Sequence, residues 1–145
     1  MEKLPHTYAV TVSGQQQGNL SATGAGLPAL VCAPPTQFDG PGDQWSPEEL
    51  LMAAVANCLV LSFRAIAGAS RFEWRSIECD ASGLLDQVDR KIQITTIENR
   101  VTLVVPTGSD AAKAEKLLEK AEQNCFISNS LTAEVHLSCE IVMAD

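Results

Sequence analysis

The stretch from Ser46 to Gly68 restricts this chain more than any other. Ser46 offers a side-chain acceptor at a helix N-cap and Pro47 suits the first helical position. Glu49, three residues after the cap, completes a capping box, and Glu48 stands where the helix dipole favours an anion. Behind this start, Leu50 to Ala67 is apolar nearly all round. A helix without a polar face does not lie on a surface, so this one is expected to be buried, with the rest of the fold built around it.

The flanking segments supply sheet. Tyr8–Ser13 alternates and breaks at Gly14, as a strand entering a hairpin does, and Asn19–Ala22 and Ala29–Ala33 are its expected partners. A turn-rich loop follows, from Pro34 to Trp45, whose three prolines and two aromatics suit a pocket lid or a structured connector. After the helix, Ser76–Ala81, Lys91–Ile97 and Arg100–Val105 read as strands. Ser109–Asn124 reads as an amphipathic helix with Ala114, Leu117, Leu118, Ala121 and Cys125 on one face. A last strand, Ala133–Val142, puts Val135, Leu137, Cys139 and Ile141 on one side. The expected fold class is α+β, with a largely antiparallel sheet around a long buried central helix, in a single domain spanning residues 1–145.

Composition narrows the function. A net charge of −8 argues against a nucleic-acid partner. No run approaches the roughly 18 consecutive apolar residues of a membrane span, and the N-terminus has no apolar signal segment, so a cytoplasmic protein without a membrane partner is expected. In that compartment thiols stay reduced unless they are catalytic or redox-sensing. The five cysteines form no C-x-x-C pair, and the two histidines, His6 and His136, are far apart. No metal site and no cofactor is indicated.

Cys79 and Cys139 sit on the apolar phase of their strands and read as small core residues, as does Cys32 beside Ala33-Pro34-Pro35. His136, on the polar phase, is expected to face solvent. Cys58 and Cys125 both point inward from helical stretches and are candidates for thiol chemistry. Cys58 lies about three turns into its helix, where the N-terminal field has faded, so another group has to activate it. Glu48 is ten positions earlier, about 15 Å along one helix, and cannot touch it within the same straight helix. Two copies crossing antiparallel near Ala53 and Ala54, where small residues permit close approach, bring Glu48 of one subunit towards Cys58 of the other.

At these residues the chain resembles the OsmC/Ohr family of osmotically inducible and organic-hydroperoxide-resistance proteins. The resemblance covers most of the length. It rests on the loop Gln37-Phe38-Asp39-Gly40-Pro41-Gly42, on Ser46-Pro47-Glu48-Glu49-Leu50 with Cys58 following, and on Ala121 through Cys125 to Leu131. It implies an intertwined homodimer with two active sites at the interface and a two-cysteine peroxidase acting on small organic hydroperoxides, lipid ones included. Cys58 matches the attacking thiolate, Cys125 the resolving thiol and Glu48 the site carboxylate. A dithiol such as a lipoyl group is the implied reductant.

The chain departs from the family at one point. The family's peroxidases carry an arginine before the helix that pairs with the thiolate, and the matching position here is Gln37. No lysine or arginine occurs from residue 4 to residue 63. Gln37 can donate a hydrogen bond but brings no charge, and charge is what most strongly lowers a thiol pKa. A second reading therefore stands beside the peroxidase: an OsmC-like protein that binds a hydrophobic ligand or senses redox state, with little peroxidase activity. A third is a structural or interaction protein with inert thiols.

Overall fold

The computed structural model describes all residues from Met1 to Asp145. They form two compact units, Met1–Leu50 and Leu51–Asp145.

The first unit contains three short strands, β1 (Thr11–Ser13), β2 (Leu20–Thr23) and β3 (Leu30–Cys32), in an antiparallel meander. The proline-rich loop that follows is a structured connector. A 3-10 turn spans Thr36–Phe38, the Gly40 N–H bonds to the Pro35 carbonyl at 3.0 Å, and Ala33 N–H bonds to the Trp45 carbonyl at 2.9 Å. Gly40 is required there, because a Cβ at this position would collide with the Pro34 carbonyl.

Helix α1 runs Pro47–Ala69. Its start is the one read from the sequence, with Ser46 Oγ accepting from the Glu49 N–H at 3.2 Å. Gly68 lies within the last turn, so the helix runs two residues past Ala67, where the apolar run ends. The second unit takes up the helix from Leu51 and continues with β4 (Ser76–Val88), β5 (Lys91–Pro106), α2 (Ala111–Gln123), the single-turn α3 (Phe126–Asn129) and β6 (Glu134–Ala144). Asp110 caps α2 by accepting from the Lys113 N–H at 3.0 Å.

Strands β4 and β5 pair antiparallel over their whole length, with one irregularity at Leu84/Leu85, and β6 joins the other edge of β5 in parallel. The fold is therefore α+β, its strands pairing antiparallel except β5–β6, with one isolated parallel bridge between Cys32 and Trp45. Two details differ from the sequence expectation. The strands expected at Lys91–Ile97 and Arg100–Val105 are one continuous strand, because Glu98 and Asn99 are held in the ladder from both sides, by Ser82 and Ala81 on β4 and by His136 and Leu137 on β6. Cys125 is not the last residue of α2 but the N-cap of α3.

The core lies on the odd-numbered face of β5. Val101, Leu103 and Val105 meet Leu59, Phe63 and Ala67 of α1 and Ala114, Leu117, Leu118 and Ala121 of α2. Each fully buried leucine or phenylalanine here contributes on the order of 1.5–3 kcal/mol. Phe63 also packs edge-on against Trp74, ring centroids 5.6 Å apart. Cys79, Val101 and Cys139 form one row across the three strands, and both thiols flank this core, as the alternation required. His136 faces outward and pairs with Glu134 at 3.5 Å.

Within the chain α1 is buried along one stripe only, Val55, Leu59, Phe63 and Ala67. The other apolar residues of its middle are partly covered, and Leu61 is 55% exposed. By length and composition α1 could also cross a membrane, since an 18-residue window averages a hydropathy of 2.0. The sequence test of consecutive apolar residues missed this because Asn57, Ser62 and Arg64 interrupt the run without lowering its mean far. The buried stripe packed against the sheet is the behaviour of a core helix.

Candidate active site

Two elements of the second unit build the site. Cys58 is carried by the middle of α1, one position before the buried Leu59, and is half-buried. Cys125 follows the break after α2, where the Asn124 backbone leaves helical geometry, and is 1% exposed. Cys125 takes an extended conformation and starts α3, so the first N–H groups of that turn have no carbonyl four residues back to bond. The backbone of Ile127 and Phe126 lies near Cys58 and favours its thiolate, and the backbone of Ser128 does the same for Cys125.

Cys125 lies near Cys58 and favours its thiolate, and Ser62, one turn further along α1, adds to this. Burial pushes the Cys58 thiol up, but these donors outweigh it and hold the group below the ordinary thiol value. Cys125 moves the other way. Burial raises it first, and the contact with Cys58 raises it further, since the thiol has to keep its proton to donate it. Ser128, a buried residue whose hydroxyl has no hydrogen-bond partner, opposes that rise in part. Every stabilising contact on Cys58 comes from a neutral donor.

Of the residues expected at the site, Cys58 and Cys125 are brought together. Glu48 sits in the first turn of α1, its Oε2 shut off from solvent without a hydrogen-bond partner. Gln37 is exposed in the 3-10 turn, where its Oε1 accepts from the Thr36 hydroxyl at 3.4 Å, and Arg64 is exposed on α1. The remaining thiols are unsuited to attack. Burial pushes Cys79 up to about 11, with Asp80 adding to the rise, and burial together with Glu115, Glu119 and Glu122 does the same to Cys139, also to about 11. No group of three histidine, cysteine or carboxylate side chains could hold a metal ion.

Sequence reasoning missed Ser62, Ser128 and the N–H groups of Phe126 and Ile127. Ser62 had a signal, since it stands four residues after Cys58 on a helix, where side chains meet. The backbone donors had none, because they exist only where the chain leaves α2 and starts again.

Residues 40–140 match the family model described as OsmC-like protein. The chain is 34% identical over 106 residues to the peroxiredoxin OsmC of Escherichia coli, covering 73% of each chain. It is 27% identical over 138 residues to an organic hydroperoxide resistance protein of Xanthomonas axonopodis, covering 94% of each. An OsmC-like protein of Vibrio cholerae, 21% identical, has the same fold with a TM-score of 0.87 over 94% of this chain and 100% of that one. The family model spans well over half of the chain, and the chain belongs to the OsmC family.

Proposed function

We propose that this protein is a two-cysteine peroxidase that reduces small organic hydroperoxides, lipid hydroperoxides included, in the cytoplasm. Membership of the OsmC family supports a peroxidase or hydroperoxide-resistance role in general. The observation that carries the specific reading is the opposed pair, a Cys58 thiol held below the ordinary value by neutral groups around it and a neighbouring Cys125 thiol pushed above it. The Cys58 thiolate attacks the distal oxygen of the hydroperoxide. A sulfur–oxygen bond forms, the oxygen–oxygen bond breaks, and the departing alkoxide takes a proton to leave as an alcohol. The Cys125 sulfur then displaces hydroxide from the Cys58 sulfenic acid, closing a disulfide and releasing water once a proton is added. An external dithiol, such as a lipoyl group, returns both thiols and leaves as its own disulfide. Rapid closure protects Cys58 from irreversible over-oxidation.

The functional unit in this proposal is one domain of residues 1–145 acting as an intertwined homodimer, with two sites at the interface. The half-exposed apolar side of α1, Leu61 included, supports a second copy, because an apolar helix face of this length is costly in water. The unpartnered Glu48 Oε2 supports it too, as a buried carboxylate oxygen needs a donor from somewhere. Glu48 of one subunit serves as the carboxylate near Cys58 of the other.

A second reading is favoured by one observation, the neutrality of the Cys58 surroundings in a chain with no lysine or arginine from residue 4 to 63. A hydrophobic-ligand-binding or redox-sensing protein needs a reactive thiol pair but no turnover. Reduced protein treated with cumene hydroperoxide, followed by disulfide mapping and a turnover assay with dihydrolipoamide, separates the two. A Cys58–Cys125 disulfide with turnover is the peroxidase result. The disulfide without turnover is the sensor result, and unreacted thiols exclude both redox readings.

A further inference from the structure

We propose that the free edge of β6, with the groove that α2 walls beside it, is a docking surface for an extended basic segment of a partner protein. The segment joins the sheet as a further strand. The inference goes beyond the thiol chemistry and does not depend on it.

β6 is the end strand of its sheet and pairs with β5 on one side only, over its eleven residues. The main-chain N–H and C=O groups of its other side therefore have no ladder partner. Long edges are commonly guarded by lysine or proline, and Glu134–Ala144 contains neither. Its acidic residues are Glu134 and Glu140, and its one ion pair is His136 with Glu134 at 3.5 Å.

The groove consists of two hollows in series, of about 450 Å³ and about 370 Å³, which share Glu122 and Val135. Ser128, Leu131 and Ala133 bound the first, and Glu115, Glu119, Leu137 and Cys139 the second. Side chains two apart on an extended segment leave one face about 6.8 Å apart, so consecutive hollows suit its alternate residues. Helix α2 sets the charge of the wall. Glu115, Glu119 and Glu122 leave it within about 60° of one another at ~100° per residue, whereas Lys113, Lys116 and Lys120 leave on another side. None of the three carboxylates is ion-paired. Burial raises Glu122 above the ordinary carboxylate value, with His136 opposing, and a docked cation would oppose it further.

Ser128 is a separate sign of an occupant. It lines the first hollow, is 8% exposed, and its buried hydroxyl has no hydrogen-bond partner. A main-chain group of a docked segment would supply one. The edge's own chemistry selects the partner. A second copy of β6 would set Glu134 and Glu140 against themselves, and like charges across strands repel. A basic segment meets both, together with the three carboxylates of α2. Main-chain bonds then give affinity, and the hollows choose the side chains. The first hollow reaches Ser128, three residues after Cys125, so the docked partner lies beside the turn that carries this thiol.

The experiment is fluorescence anisotropy of the reduced protein with a short fluorescein-labelled peptide in which lysine alternates with valine and threonine. Two matched peptides accompany it, one N-methylated at alternate residues and one with glutamate in place of lysine. Spermine serves as a competitor. The lysine peptide is expected to bind and the glutamate peptide not to. N-methylation, which removes main-chain donors, is expected to weaken binding about tenfold. Glu115→Gln/Glu119→Gln/Glu122→Gln should raise Kd about tenfold as well, and hydrogen exchange of β6 amides should slow on binding. No binding of the lysine peptide overturns the proposal. So does equal binding of the N-methylated peptide, or its full displacement by equimolar spermine, because an acidic surface alone would then suffice. Unslowed exchange in β6 overturns it too. The peptide comparisons use the parent protein, so they decide the matter even if the triple variant does not fold.

Discussion

Cys58 and Cys125 act on one another and depart from the ordinary thiol value in opposite directions, Cys58 downwards and Cys125 upwards. At neutral pH, limited alkylation is expected to modify Cys58 ahead of every other cysteine. Cys125→Ala removes one donor, so it should slow Cys58 labelling by about threefold to tenfold, the loss of one hydrogen bond to an anion. Peptide mapping after brief labelling reads both effects.

The neutral donors around Cys58 predict a specific salt response. Long-range ion pairing weakens as ionic strength rises, whereas hydrogen bonds at contact distance barely change. The pH midpoint of Cys58 labelling should therefore move by less than about 0.3 unit between low and roughly 1 M salt. A larger upward move would mean that a cation does act on the sulfur.

Gln37→Arg adds a charge at the position that the sequence resemblance matches to an arginine of the family's peroxidases. The expected result is faster oxidation of Cys58 by cumene hydroperoxide, on the order of tenfold, read as loss of free thiol in stopped-flow. An unchanged rate would leave activation of Cys58 to the donors of α1 and α3 alone.

Alkaline pH should weaken the fold through Cys79 and Cys139. Both have folded pKa values raised from 9.0 to about 11, so the folded chain keeps protons that the unfolded chain has begun to lose. Their contribution is fully present below pH 9 and is lost as pH rises through about 11. Allowing for their partly exposed setting, each is worth about 1–2 kcal/mol over that range. Tm should fall across this window, and the double variant Cys79→Ala/Cys139→Ala should show a flatter decline from a lower start.

Asn99 is 1% exposed in β5, with neither amide nitrogen nor oxygen hydrogen-bonded. Replacing an unpaired buried amide by an apolar side chain of similar length removes a desolvation cost, so Asn99→Leu should stabilise the chain by about 1–2 kcal/mol. Urea unfolding of both proteins measures it. A loss of stability would show that a bound water or an incoming partner group satisfies the amide.

Much of this architecture was legible in the residues, and what was not has a common cause. The Ser46 cap, the stripe Ala114–Leu117–Leu118–Ala121 and the alternation around Cys79 and Cys139 are local patterns, and each element formed where its pattern lay. The parallel docking of β6 on β5 was not legible, because alternation tells which face of a strand is buried but not which neighbour it joins or in which direction. The run through Glu98 and Asn99 looked like a break because two polar residues interrupt an apolar pattern, yet pairing on both edges carried the strand through. At the site, the two thiols announced themselves by residue type. Their donors did not, since a backbone N–H becomes available only where a helix stops, between Gln123 and Phe126.

The parallel pairing of β5 and β6 also sets an order of events during folding. Strands side by side in the same direction need a long excursion between them, and here that excursion carries α2, Cys125 and α3. Such a closure joins residues distant in sequence and is slow compared with the hairpin of β4 and β5. Until β6 zips against β5, nothing anchors the far end of the segment that bears Cys125, and Cys58 waits on α1 without its counterpart. The nearness of Cys58 and Cys125 thus depends on a long-range closure and not on any local turn.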